Sequence, residues 1–122
     1  MRGRPGIGRY LNRLLTVHRP QDTDDGHGGK TTHLVEAGTV RAKVDQPSVG
    51  ERAIAASTNS RHSHDIYLLP RADVRRGDEL TGTDALGTAQ RFRVQSVVQP
   101  STPVYSKALA ELIQTEGEPS DG

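Results

Sequence analysis

The chain has 122 residues, room for one domain and not for two. Only 32% of it is apolar, it contains no cysteine, and its aromatics are Tyr10, Tyr67, Phe92 and Tyr105. This composition excludes a disulfide framework and any cysteine-based metal site, and no apolar run approaches the ~20 residues of a membrane span. The basic start lacks the apolar stretch of a signal peptide, so the expectation is a protein made in the cytoplasm with no membrane partner. A chain this size must bury roughly two-thirds of its unfolded surface. So few large side chains imply a thin core, completed by loops that need none and by neighbouring subunits. The net charge of +1 conceals opposite ends: Arg2, Arg4, Arg9, Arg13 and Arg19 lie in the first twenty residues without an acid, while Glu111, Glu116, Glu118 and Asp121 follow the last cluster of bases. Such ends suit head-to-tail contacts, or simply two solvated tails.

In chain order, residues 1–12 read as a flexible basic arm, rich in Gly with Pro5. Alternation of Leu15 and Val17 against Thr16 and His18 predicts a strand at Leu14–Arg19, ended by Pro20. Gln21–Lys30 is a polar Gly/Asp loop. Thr31–Asp45 carries one long strand, or two joined at Gly38, with Val40, Ala42 and Val44 inward. Gln46–Ser60 is a long connection with room for one short helix at Glu51–Ala56; connections of this length are usually functional or disordered.

Arg61–Val98 has the clearest pattern and predicts a β-meander. His62, His64, Ile66 and Leu68 alternate with Ser63, Asp65, Tyr67 and Leu69 as far as Pro70. A turn follows at Arg71–Asp78, with Gly77 where positive φ is needed. A short Glu79-Leu-Thr strand and a bend at Gly82, Asp84 and Gly87 lead to a last strand, with Phe92, Val94, Ser96 and Val98 on one face and Arg91, Arg93 and Gln95 on the other. Gln99–Pro103 breaks the chain. Tyr105–Thr115 fits a helical stripe (Tyr105, Leu109, Leu112, Ile113), which local propensity favours, and also fits strand alternation. Residues 116–122 form an acidic tail. Five or six short strands punctuated by Gly and Pro argue for a small antiparallel barrel or sandwich.

Three chemical signals fall short of a site. Gly29-Lys30-Thr31 resembles the end of a phosphate loop, but the required leading Gly is Asp24 and the following residues read as strand. Asp22, Asp24 and Asp25 resemble a calcium loop, but Gly26 and His27 stand in the wrong places and His33 replaces the closing Glu. His62 and His64 share a strand face and could bind zinc with a third ligand from His18, His27 or His33; two half-exposed strand histidines is the plainer reading. No nucleophile elbow, zincin signature or well-placed carboxylate pair is present, so neither an enzyme nor a cofactor is expected. A nucleic-acid-binding barrel would have only Tyr67 and Phe92 to stack on bases, with Phe92 reading as core.

Taken in order, the features resemble the head–tail connector proteins of tailed phages, specifically the small head-closure (stopper) or head–tail joining family. The elements that carry this are His18-Arg19-Pro20, the loop Asp24–Gly29, Thr39–Val44, the polar insert with Gly50-Glu51, His64–Leu68, the turn Asp73–Leu80, and Arg91–Val97. The resemblance implies an all-β fold, a small antiparallel six-stranded β-barrel over residues 13–115 with a long inserted loop at 46–60, and a strand at Tyr105–Thr115. It implies a structural protein of the virion neck, at the head–tail interface, closing the DNA exit channel after packaging and presenting the tail-docking surface. The implied partners are further copies in a sixfold or twelvefold ring, a portal-bound adaptor protein, the tail terminator or tail tube, and packaged DNA in non-specific contact. The gate would be the insert, with Gln46, Ser48, Val49, Gly50, Glu51, Arg52, Ser57, Thr58 and Asn59. Ring or partner contacts would fall to Arg2, Arg4, Arg9, Arg41, Arg75, Arg76, Arg91 and Arg93. The alternatives are another neck or tail component such as a tail terminator, and a small nucleic-acid-binding barrel.

Overall fold

The computed structural model describes residues 11–46, 62–102 and 104–115. Among these the regular structure is all strand: β1 (Arg13–Asp24), β2 (Lys30–Asp45), β3 (His64–Leu68), β4 (Glu79–Thr83), β5 (Ala89–Val98) and β6 (Ser106–Thr115). Every pairing is antiparallel, and the order β1-β2-β3-β6-β5-β4 closes on itself as a barrel. Closure leaves the paired parts of the strands without free edges. Tyr105–Thr115 therefore resolves in favour of strand: Ala108 and Ala110 point inward with no exposure, on the alternation that a helix would have destroyed.

The interior is filled as the strand period requires. Leu15 and Val17 of β1, Ala42 of β2, Ile66 and Leu68 of β3, Leu80 of β4, Phe92 and Val94 of β5 and Ala108 and Ala110 of β6 form one buried cluster. Phe92 is the largest of these side chains, and the alanines of β6 stand opposite Val94 and Val97 of β5. Each large apolar member is worth about 1.5–3 kcal/mol when fully buried. At Gly82 a Cβ would lie 2.6 Å from Leu15 Cδ2 and 2.9 Å from the Leu14 carbonyl oxygen, so β4 reaches β1 only because that side chain is missing.

Four sequence expectations are corrected. The Arg61–Val98 segment is no meander: β3 lies between β2 and β6, on the far side of the barrel from β4, and only β4 and β5 form a hairpin. Residues 69–78 consequently run across the mouth of the barrel as a strap, and Val74, 6% exposed, drops from the strap into the core. Pro20 does not end β1, which continues to Asp24 with Pro20 opposite Leu34. Beyond His18 only β2 pairs with β1 among the described residues, and a strand paired on one side tolerates the missing N–H. The Gln21–Lys30 loop shrinks to a turn at residues 25–29, where Asp25 N donates to the Gly29 carbonyl and Gly26 and Gly28 take φ of 81° and 85°. In β5 a bulge between Val94 and Ser96 shifts the register, so Val97 and not Val98 stands opposite Ala108, and the expected inward Val98 is exposed, at 45%, as Val97 is at 37%. A second bulge, with Gly38 at φ 136°, lets β2 run unbroken where one strand or two had been open readings.

The two ends of the barrel differ in content. The chain enters at Leu11, departs at Gln46, returns at His62 and departs again at Thr115, all at one end, together with the β4–β5 turn at Asp84–Thr88. The strap, the β5–β6 connection and a β1–β2 ribbon that continues past the rim occupy the other.

Candidate functional site

At the entry end, β2 and β3 are antiparallel neighbours with Asp45 opposite Asp65. Where the chain returns from the insert it is pinned at once. His62 Nε2 lies 2.6 Å from Asp65 Oδ1, and Ser63 N donates to the Ala110 carbonyl at 2.9 Å. Ser63 Oγ accepts from Leu112 N at 2.8 Å and meets His64 Nδ1 at 3.0 Å. His64 packs its ring edge-on to Phe92 with centroids 5.2 Å apart. Burial, and then the positive charge of Arg13, hold its pKa below the ordinary histidine value. Serine, histidine and aspartate are all here, yet they form two separate pairs, His64 with Ser63 and His62 with Asp65, and no relay. The arrangement fixes the end of a strand. Among the described residues, no group of three or more His, Cys, Asp or Glu side chains is placed to hold a metal ion.

Of the gate residues, Gln46 is exposed immediately past β2; Ser48, Val49, Gly50, Glu51, Arg52, Ser57, Thr58 and Asn59 lie outside the described residues, as do Arg2, Arg4 and Arg9 and the segment Glu51–Ala56. The remaining arginines divide between two places. Arg41, Arg91 and Arg93 sit on the outer wall. Arg41 Nη2 donates to the Leu11 carbonyl at 3.2 Å, while Arg91 and Arg93 converge on Glu79, at 2.7 and 3.4 Å. Arg75 and Arg76 are exposed on the strap at the opposite end, where Arg75 Nε binds Asp73 Oδ1 at 3.0 Å. Phe92 is wholly buried and offers no stacking face. A cavity of about 550 Å³ on the wall, lined by His18, Thr81, Gly82, Gln90 and Arg91, contains one cation already neutralised by Glu79.

Two arrangements were not anticipated from the sequence. Arg19 Nε and Nη2 donate to the carboxylate of Asp78 at 3.0 and 2.8 Å, and Nη2 also reaches the Asp73 carbonyl at 3.1 Å. Asp78, 1% exposed, accepts the Arg75 N–H as well, at 2.8 Å. These bonds hold the Arg19 pKa above its ordinary value, first through Asp78 and next through Asp73. A signal existed: Arg19 follows Leu15 and Val17 in the inward register, where a charge needs a partner. The second arrangement is on the outer wall, where register places Lys43, Tyr67 and Lys107 in a row across β2, β3 and β6. The Tyr67 ring lies between the two ammonium groups, at 5.5 and 5.8 Å, and edge-on to Tyr105.

Comparison with known proteins adds three findings. The model of a family described as phage head completion protein matches residues 9–110. The solution structure of protein SF1141 from Shigella flexneri 2a is similar, with a TM-score of 0.68 at 17% identity, over 84% of this chain and 92% of that one. At that identity the likeness establishes a shared fold alone. No curated protein matches.

Proposed function

The chain belongs to the phage head completion protein family, a family of structural virion proteins with a head-closure role, and on that premise we propose a particular way of closing the head. Copies assemble as a ring in the neck, sixfold or twelvefold, and the insert between β2 and β3 projects into the lumen as the gate that holds packaged DNA. The ring stacks against a portal-bound adaptor on one side and receives the tail on the other, with DNA contact limited to non-specific contact of arginines with phosphates.

One observation carries this reading. Antiparallel neighbours such as β2 and β3 need only a two- to five-residue turn, yet the chain runs from Asp45 to His64 before pairing resumes. Barrel topology does not require that length, so another demand sets it. The division of the barrel into an entry end and a strap end supplies the two unlike faces that a stacked ring needs.

The test is to replace residues 48–59 by Asn-Gly in the phage and to examine the particles. Heads that assemble and fill but then lose DNA to added nuclease support the gate. Heads that retain DNA reject it. The wall arginines serve a second test: Arg91→Gln with Arg93→Gln should weaken neck assembly while leaving the barrel folded.

A further inference from the structure

Past the rim of the barrel, β1 and β2 continue as a two-stranded ribbon to which no other strand pairs among the described residues. β4 parts from β1 at His18, β3 joins β2 only at Ala42, and residues 20–39 are exposed throughout. A lone two-stranded ribbon is marginal in water, and its open edges invite pairing. We propose that this ribbon is the arm by which one copy of the chain grips the next, its outer face lying on the strap of the neighbouring copy. The proposal rests on the ring reading above and names the contact that builds the ring.

Register decides which side chains the ribbon offers. Val17 points into the barrel and Arg19 reaches the strap, so the face bearing Arg19, Gln21 and Thr23 turns toward the copy's own mouth. The opposite face carries Pro20, Asp22 and Asp24 on β1, with Leu34 opposite Pro20 and Glu36 opposite His18 on β2. It is acidic with an apolar centre, Leu34 being 41% exposed. Lys30 is its one cation.

The strap end presents the complement. Arg71 and Arg76 are exposed there and form no ion pair among the described residues. Leu69, Val98 and Val104 lie exposed on the same rim. The outer part of the ribbon does not reach its own strap, because Arg19 ties only the root there. Asp24 then lies five residues further out, about 17 Å at the strand rise, on the face turned away. Asp22 and Asp24 are thus held away from the bases of their own strap and meet those of a neighbouring copy. Such a contact joins two unlike surfaces, the kind that closes into rings.

The experiment uses the full chain, with assembled mass read by native mass spectrometry and sedimentation velocity. Asp22→Lys with Asp24→Lys should abolish the assembled species, as should Arg71→Glu with Arg76→Glu, and the four changes together should restore it. Circular dichroism checks that each variant folds. In a second arm, which exploits the absence of cysteine, a Leu34→Cys chain mixed with an Arg71→Cys chain should give a disulfide-linked dimer that neither gives alone. Unchanged assembly in both charge variants, no recovery in the combined variant, or a Leu34→Cys chain that links only to itself would overturn the ribbon contact while leaving the ring intact. A parent chain that stays monomeric at every concentration would overturn the ring and the ribbon together.

Discussion

Arg19 and Asp78 form a two-pronged ion pair between the root of the β1–β2 ribbon and the end of the strap. Asp78 is almost fully buried while Arg19 keeps a wet side, so the pair is asymmetric. Its acid depends on its base, because among the described residues a carboxylate left alone in that position keeps only the Arg75 N–H as a donor. Replacement of Arg19 by Ala should therefore lower stability by about 3 kcal/mol, the low end for breaking a buried pair because part of Arg19 is solvated. A urea titration reads this as a lower midpoint. Arg19→Lys, which keeps the charge but not the fork, should recover only part of the loss.

A buried neutral histidine gives the fold a pH signature. The native pKa of His64 lies below its unfolded value, so the unfolded chain binds the proton first. Stability from this residue is complete above about pH 6.5, falls as pH drops below that, and levels off below the native pKa. The His64→Leu variant should lose this part of the slope. Asp73 and Asp84 have lowered pKa values, through Arg75 and Arg19 in one case and the Thr88 N–H in the other, and they act in a separate window in which stability falls as pH drops below the usual carboxylate range. Thermal melts at a series of pH values should therefore show two steps for the parent and one for the variant.

Gly82 tests how tightly the seam is packed. An added Cβ would overlap Leu15 Cδ2 and the Leu14 carbonyl oxygen, and the backbone atom cannot swing away. Gly82→Ala should cost about 1–3 kcal/mol. Gly82→Ala with Leu15→Val should recover part of it, since the nearer of the two clashes is then removed. If the single variant matched the parent in denaturant, the close approach of β4 to β1 would be refuted.

What the sequence made legible was facing, and what it hid was neighbourhood. Leu15, Val17, Val40, Ala42, Ile66, Leu68, Phe92 and Val94 follow the two-residue period, and their inward positions were readable from that alone. Pairing was not readable: nothing in Arg61–Val98 says that Leu68 neighbours Ala42 and Ser106 and stands opposite β4. Local punctuation also misled. Pro20 reads as a stop, and it was tolerated because β1 is single-sided there. Of the expected site, the length of the insert was visible, whereas the Arg19–Asp78 pair requires two segments that only the folded chain brings together.

If the insert is set by function and not by the barrel, shortening it should leave the barrel unharmed. Each doubling of loop length alters closure entropy by only about 0.6 kcal/mol. A chain with residues 48–59 replaced by Asn-Gly should therefore melt within a few degrees of the parent, or slightly above it, in differential scanning calorimetry. A collapse in melting temperature would mean that the insert is part of the core.

The closure of β4 on β1 has a kinetic consequence. It rests on Thr16, Val17 and His18 opposite Thr81, Leu80 and Glu79, whereas β1 and β2 pair along nearly their whole length. Residues 61 to 65 apart in sequence must meet there, so the entropy of the intervening chain is surrendered before the contact gives anything back. The barrel should close last along this line and breathe first along it. Amide hydrogens shared by these two strands would then exchange sooner than those of the β5–β6 ladder, making a nominally edgeless sheet transiently open along one line.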